Sequence, residues 1–281
     1  MIKAIVLATA LALTTAGAVT AQDAGRSNFE TGREAYIRSN FEAGQQAYIL
    51  TDYANALRFF RMAADQGHAE ARFYMGLIYS EGRGVPQDYA EAARWYRMAA
   101  DQGNADAQGN LGLMYANGRG VPQSDAEAVR WYRMAADQGN DSAQFNLGVR
   151  YGSGQGVQQD YAEAVRWYRM AADQGNAPAQ VNLGNIYRTG QGVPQDYAEA
   201  VRWYRMAADQ GNDSAQVNLG TMYALGNGVP QSYVEAYRWL TLSAAQGNAQ
   251  AVRNIDYVRS QMTPAQIAEG ERLAAAWRPR F

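Results

Sequence analysis

The chain of 281 residues has no cysteine, one histidine and one lysine. Without cysteine there is no disulfide framework, no thiolate metal site and no thiol nucleophile. A lone His68 cannot supply a histidine-rich metal centre, so neither a metal nor a cofactor is expected. The one lysine, Lys3, sits at the extreme N-terminus, which removes a Ser-x-x-Lys acyl-transfer site from the rest of the chain. Long apolar runs are missing too: the stretch from Ala4 to Leu13 falls short of the ~20 residues a membrane-spanning helix needs. Neither sign of charge dominates, with 25 basic and 27 acidic residues. That balance opposes sequence-independent binding of nucleic acid, which needs a net basic face.

Lys3, the apolar run and the small residues Val19-Thr20-Ala21 are the three parts of a secretory signal peptide. Residues 1–21 are therefore expected to be cleaved, with the mature chain starting at Gln22 and no transmembrane segment left. Loss of Lys3 moves the net charge from −2 to −3. The expected location is the periplasm or the medium, where the absence of cysteine also rules out a lipid-modified N-terminal Cys.

What the chain has in excess is repetition. The stretch WYRMAADQGN at Trp95 returns unchanged at Trp131, Trp167 and Trp203, each time 36 residues on, with worn copies at Phe59 and Trp239. A fixed period of this size signifies stacked supersecondary units that bury their apolar faces only against neighbours. In the unit from Asn104 to Gly139, Ala107, Leu111, Gly112 and Tyr115 form a stripe of helical period. The loop from Asn117 to Pro122 ends that helix, its glycines suited to positive φ and its proline unable to continue a helix. A second helix begins at Ser124 with Ser124 and Glu127 spaced as a reciprocal capping box, repeated as Asp88/Glu91, Asp160/Glu163, Asp196/Glu199 and Ser232/Glu235. Ala128, Trp131, Tyr132 and Ala135 are its expected buried face, and Gly139 its stop. Near the C-terminus, Thr263-Pro264-Ala265-Gln266 opens a terminal helix whose Ile267, Leu273 and Trp277 can close the stack. A shorter duplication, SNFETGREAYI from Ser27 and SNFEAGQQAYI from Ser39, precedes the array.

These features resemble the Sel1-like repeat family, a relative of the tetratricopeptide repeat. The shared pattern reads here as Ala179, Leu183, Gly184, Tyr187, Gly190, Gly192, Val193, Asp196, Tyr197, Ala200, Trp203, Tyr204, Ala207, Ala208 and Gly211. Departures are local: Asp125 replaces a Tyr, Gln158 a Pro, and Arg150 stands where Ile78, Met114, Ile186 and Met222 occur. Arg150 marks either imperfect packing or a polar contact. The resemblance implies an all-α fold, a right-handed α-solenoid of stacked antiparallel helix pairs. Its expected parts are an N-terminal segment or capping helix (22–40), a tetratricopeptide-like pair (41–67), five 36-residue repeats (68–247), and a partial repeat with a capping helix (248–281). It also implies protein–protein interaction, with exported adaptors and envelope regulators among the relatives. Some cysteine-rich relatives bind or slowly hydrolyse β-lactams.

An enzyme reading finds no nucleophile–base pair, and acids that recur at cap positions in every unit serve the helices rather than a reaction. The Gly-x-Gly loops follow helices rather than strands, so they are turns and not phosphate cradles. His68 takes the place of Asn104, Asn140, Asn176 and Asn212 and reads as a cap. Trp-Tyr pairs and Met98, Met134, Met170 and Met206 read as core at their helical spacing. The arginines flanking each Trp have acids within i±3 or i±4 reach and read as a mixed surface.

Positions free to vary among units are the candidates for recognition. On the first helices they share one side: Phe73, Leu77 and Glu81; Leu113 and Asn117; Phe145 and Val149; Val181, Asn185 and Arg188; Val217, Thr221 and Leu225. Resemblance to tetratricopeptide repeats implies that this is a concave groove for an extended peptide or partner helix, with drift on a solvated surface as the alternative. The expected function is a non-catalytic scaffold or regulator binding a protein or peptide partner in the cell envelope. A β-lactam-binding enzyme and a binder of envelope polysaccharide or peptidoglycan are the alternatives.

Overall fold

The structure, a computed structural model, describes Arg26 and residues 30–279; the signal-peptide expectation, residues 1–21 and the start at Gln22, lies outside them. The described residues form helices throughout and no strand. The first is α1, over residues 30–49. It is followed by α2 (Tyr53–Asp65), α3 (Ala69–Glu81), α4 (Tyr89–Ala100), α5 (Ala105–Asn117) and α6 (Asp125–Asp137). Then come α7 (Asp141–Ser153), α8 (Tyr161–Asp173), α9 (Ala177–Thr189), α10 (Tyr197–Asp209) and α11 (Asp213–Leu225). The chain ends with α12 (Tyr233–Ala245), α13 (Ala249–Ser260) and α14 (Pro264–Ala276). It divides into two compact units, Met1–Ala107 and Gln108–Phe281. Within each, short-looped helix pairs stack as an α-solenoid.

Local chemistry sets these boundaries. Asn140 caps α7 by accepting from the Ala143 N–H, and α7 ends where Gly154 takes φ +75°, a conformation that costs other residues strain. Gln159 then donates to the Gly152 carbonyl at 2.8 Å, and Gln87, Gln123, Gln195 and Gln231 clamp their own loops in the same way. Each second helix opens on Asp88, Ser124, Asp160, Asp196 or Ser232, whose side chain accepts from the amide three residues on.

The expected reciprocal half of these capping boxes is not made. The cap amides donate instead to the carbonyls of Tyr79, Tyr115, Tyr151, Tyr187 and Tyr223 in the preceding helix. Released from that duty, Glu91, Glu127, Glu163, Glu199 and Glu235 pair with the arginine three residues on. Among the described residues the complete box forms only at Thr263 and Gln266, where α14 has no tyrosine carbonyl to compete.

The core recurs with the repeat. Ala128, Trp131, Tyr132 and Ala135 are buried as their spacing requires, and so are Leu111, Leu147, Leu183 and Leu219 of the first helices. Each pair closes on a glycine: a Cβ at Gly148 would lie 2.7 Å from the Tyr168 ring, and Gly112 stands likewise under Tyr132. Glutamines, not only apolar groups, fill this interior. Gln144, Gln180 and Gln216 are buried; each donates to a carbonyl at the end of the previous helix (Ala136, Ala172, Ala208). Each also accepts from the glutamine ending the next helix, Gln174, Gln210 or Gln246, at 2.8–2.9 Å. In α3, Arg72 takes this position, and its Nε donates to Ala64 O at 3.1 Å.

At the N-terminus the duplicated segment does not form a separate cap followed by a pair. A single helix, α1, runs from residue 30 through the end of the second copy, because Ser39-Asn40 carries no helix-stopping residue and Asn40 Nδ2 bonds back to the Tyr36 carbonyl at 2.9 Å. Gly44 meets Phe60 of α2 as the repeat glycines meet their tyrosines. His68 is the cap of α3: its Nδ1 accepts from the Ala71 N–H at 3.1 Å and its ring stacks 4.3 Å from Phe41. Burial holds its pKa below the ordinary histidine value, against the nearby Glu70 carboxylate, which pulls it up. At the other end, Ile267 and Trp277 pack against the last core clusters, Trp277 under Gly211.

Candidate partner-binding face

The first helices bury the side that carries Ala, Gln, Leu and Gly, which leaves one stripe facing out. In α5 it runs through Asp106, Asn110, Leu113 and Asn117, spaced i, i+4, i+7 and i+11. In the second unit Leu113 (45% exposed), Asn117, Arg188 and Leu225 (58%) stand fully exposed at such positions, and in the first unit Glu81 does so on α3. Leu77, Asn185 and Thr221 are half-buried along it. The apolar candidates beside the stripe are not the exposed groups expected of them. Val217 is buried (7% exposed) in a cluster with Tyr237, Leu240, Ala251 and Val258. Phe73 and Phe145 are half-buried, their rings 5.9 Å from those of Tyr96 and Tyr168. Val149 and Val181 also pack against core. Phe73, Phe145, Val181 and Val217 sit one position round from the stripe, where the adjacent second helix reaches them, and Val149, at the stripe position of Leu113, packs against core as well; variation at these sites reflects packing.

Two shallow grooves open on this face of the second unit. One, of about 330 Å3, is lined by Val149, Tyr168, Asn182, Asn185 and Ile186. The other, of about 190 Å3, is lined by Thr221, Leu225, Asn254, Tyr257 and Val258. Tyrosine hydroxyls reach this level of the structure, and each finds a different partner. Tyr96 bonds Ser80, Tyr132 bonds Arg150, and Tyr168 bonds Asn182. Tyr204 donates to Asn185 Oδ1 at 2.7 Å and accepts from Arg188 Nε at 3.3 Å. Burial pushes the hydroxyls of Tyr96, Tyr132 and Tyr168 up to about 12 and raises that of Tyr204. Near neutral pH they are hydrogen-bonding groups rather than bases.

Arg150 makes the polar contact. Its Nη1 lies 2.7 Å from Asp125 Oδ1 and 2.9 Å from Gln155 Oε1. Two of the three residues that depart from the repeat pattern, Asp125 and Arg150, are thus each other's partners across the pair of helices.

The second-helix surface is engaged with itself. Arg94, Arg130, Arg166, Arg202 and Arg238 pair with their glutamates and lie over the adjacent Trp rings. The Arg94 guanidinium holds the Glu91 carboxyl below its ordinary pKa, helped by the Trp95 indole, which donates to Glu91 Oε1 at 2.8 Å. Arg61, Arg133, Arg169 and Arg205 donate to the hydroxyls of Tyr79, Tyr151, Tyr187 and Tyr223. The methionine expectation fails: Met134, Met170 and Met206 are exposed on this surface, and only Met98 packs against core. Met134 follows the buried Tyr132 by two residues, about 200° round the helix, and so falls on the far side.

Sequence reasoning passed over the asparagines at the middle of the stripe. Asn110, Asn146, Asn182 and Asn218 recur in four successive first helices, and Asn254 holds the same place in α13. Constancy reads as scaffold, yet these side chains are half-buried rather than core. The signal that could have found them is a constant polar residue that neither caps a helix nor falls on the buried stripe.

Among the described residues no group of three or more His, Asp or Glu side chains could hold a metal ion. No described helix is long and apolar enough to cross a membrane.

The model of the Sel1 repeat matches residues 40–68, 69–104, 105–140, 141–176, 177–212 and 213–248. The segment read from sequence as tetratricopeptide-like, 41–67, thus falls in the first of six such repeats, 40–68. Curated proteins give no match. Among solved structures, a protective antigen of uropathogenic Escherichia coli strains with an SLR fold is 38% identical, with a TM-score of 0.77 over 89% of this chain. This chain spans 56% of that protein's length. A Sel1 repeat protein from Oxalobacter formigenes is 34% identical, with a TM-score of 0.74 over 84% of this chain and 96% of its own. Repeats of this kind are in general non-catalytic scaffolds for protein interaction. On its six matched repeats and their stacked helix pairs, the chain belongs to the Sel1 repeat family.

Proposed function

We propose that this protein is an exported, non-catalytic scaffold of the cell envelope that captures a segment of a partner protein on its first-helix face. The observation that carries the reading is the contrast between the two surfaces. On the second helices the arginines and glutamates satisfy one another. The first-helix stripe exposes the apolar side chains of Leu113 and Leu225 beside two open grooves. Exposed apolar groups rimmed by polar ones are what an interaction surface offers. Export follows from the signal-peptide pattern of residues 1–21.

The test is crosslinking of the tagged protein in intact host cells, with wild type beside a Leu113→Glu/Leu225→Glu variant. Both side chains are exposed, so the variant keeps its helicity; Phe73 and Phe145 are unsuitable because they pack on Tyr96 and Tyr168. One dominant envelope protein, lost in the variant, supports the reading. Capture that ignores the variant, or no captured protein at all, overturns it.

A further inference from the structure

We propose that Met134, Met170 and Met206 are reversible oxidation sites: their thioethers consume a hypohalous acid before it reaches the buried tryptophans of the stack, and the arginine one turn back holds the sulfoxide. This role lies on the second helices and is independent of partner capture on the first.

Without cysteine, methionine is the only sulfur the chain offers to an oxidant. One methionine stands at the same place in five successive second helices, as Met62, Met98, Met134, Met170 and Met206. The last three, all in the second unit, are exposed, whereas Met75, Met114 and Met222 of the first helices are buried. Helix formation does not explain the choice, since polar residues such as glutamine and arginine serve a helix as well as methionine. Packing does not require the sulfur either, because Leu242 fills the place in α12 and packs against core.

What lies behind the row is the core. Trp131, Trp167 and Trp203, three residues before these methionines, are buried. The Arg202 guanidinium lies 4.1 Å over the Trp203 ring, and its Nη1 is 3.9 Å from Met206 Sδ. Glu199 takes Nε and Nη2, so Nη1 is the arm left for the sulfur. Arg94 is placed in the same way between Trp95 and Met98, and Arg130 and Arg166 lie over Trp131 and Trp167. Met206 also lines an open groove of about 370 Å3 with Val201, Arg205 and Asp209, so an oxidant reaches it from solvent.

The sulfur lone pair attacks the chlorine of hypochlorous acid, and hydroxide leaves. Water then adds to the chlorosulfonium sulfur, chloride departs and two protons are lost, one of them to the hydroxide. In balance, thioether and HOCl give sulfoxide, chloride and one proton; sulfur loses two electrons and chlorine gains them. A sulfoxide disrupts a core, but here it stands at the surface. Its oxygen accepts from the waiting Nη1 better than the thioether, a weak acceptor, does. Sulfoxide reductases, one for each epimer, return the thioether. Repair at this surface needs no unfolding, whereas repair of Met75 or Met222 would have to open the core.

The test titrates the full chain with hypochlorous acid, reading modification by peptide mass spectrometry and fold by circular dichroism. The first sulfoxides should appear at Met134, Met170 and Met206, with helicity and thermal midpoint unchanged and Met75, Met114 and Met222 untouched. The two reductases should reverse them in the folded chain. Met134→Leu/Met170→Leu/Met206→Leu, for which Leu242 is the native precedent, should keep the midpoint. It should lose tryptophan fluorescence and helicity after about three equivalents less oxidant, one for each missing thioether. Equal doses for variant and wild type overturn the protective role. Core sulfoxides that form as early as the surface ones, or surface sulfoxides that lower the midpoint, overturn it as well. The guanidinium nitrogen resonances of Arg202 should move when Met206 is oxidised, while those of Arg238, four residues before Leu242, stay in place. An unmoved Arg202 signal overturns the arginine's part.

Discussion

Gln180 offers the sharpest test of how the stack is held together. Its side chain is 1% exposed, donates to Ala172 O at 3.0 Å and accepts from Gln210 Nε2 at 2.9 Å. Replacing it by methionine keeps the volume and removes both bonds. Each net bond contributes ~0.5–1.5 kcal/mol. The Ala172 carbonyl still accepts from the Gly175 N–H at 3.0 Å, and Gln210 can turn to water, so no group is orphaned. The expected loss is therefore at the low end, about 1–2 kcal/mol. Gln180→Ala adds the loss of buried methylene packing at ~0.8 kcal/mol per CH2, for a total of about 3 kcal/mol.

Since ~1 kcal/mol shifts the melting midpoint of a chain this size by about 2–4 °C, Gln180→Met should melt about 3–6 °C lower. Repeat arrays can open locally, so amide hydrogen exchange at α8, α9 and α10 should report the same loss. Gln144→Met and Gln216→Met, which break the same two bonds one repeat away, should match it. A Gln180→Met protein with wild-type midpoint and wild-type exchange would refute the argument. The buried glutamines would then be fillers of space.

Two neighbouring glycines should respond with opposite sign. Gly148→Ala places a methyl 2.7 Å from the buried Tyr168 ring and should destabilise by ~1–3 kcal/mol, whereas Gly152→Ala, with nothing nearer than 3.8 Å, should gain up to ~1 kcal/mol from helix propensity; urea titration reads both. For the Asp125–Arg150 pair, each of Asp125→Tyr and Arg150→Met alone should destabilise, and the double variant should recover, with a coupling energy of about 1 kcal/mol in a thermal double-mutant cycle. Alkaline titration should show two phases: Tyr96, Tyr132 and Tyr168 ionise near 12 when folded but near 10 when unfolded. The unfolded chain thus loses protons first, so stability is constant below about pH 10 and falls as pH rises towards 12. Absorbance of tyrosinate should show these groups ionising together with the loss of helicity, and ionisation at pH 10 in a fully helical chain would contradict their burial.

Most of the fold was legible in the sequence because its determinants are local. Gly154, Asn140 and Asp160 set helix ends by their own backbone preferences and side chains, and Trp131 and Tyr132 fall on the buried arc by period alone. What escaped depended on a partner distant in sequence or on which arc a neighbour covers. Glu127 is spaced to reach back to Ser124, but the carbonyl of Tyr115, across the loop, already takes the Ser124 N–H. Met134 belongs to the repeated block that carries the core, but lies round the helix from it. Val217 varies among units and yet is buried, because the residues opposite it in α12 and α13 vary too. The glutamine row was invisible for the same reason: each link joins residues 30 apart.

Arg150 and Asp125 show what variation in such an array means. Two departures, each unfavourable alone on an apolar interface, become compatible because they meet at 2.7 Å. A residue that varies in company with the residue it touches is maintaining the stack, and says nothing about a ligand. A residue that varies while its neighbours stay fixed, such as Leu113 or Leu225 on the exposed stripe, is free of that constraint and open to a partner's demands. The binding face is therefore to be sought where variation and packing disagree, and on this chain the disagreement runs along one stripe of the first helices.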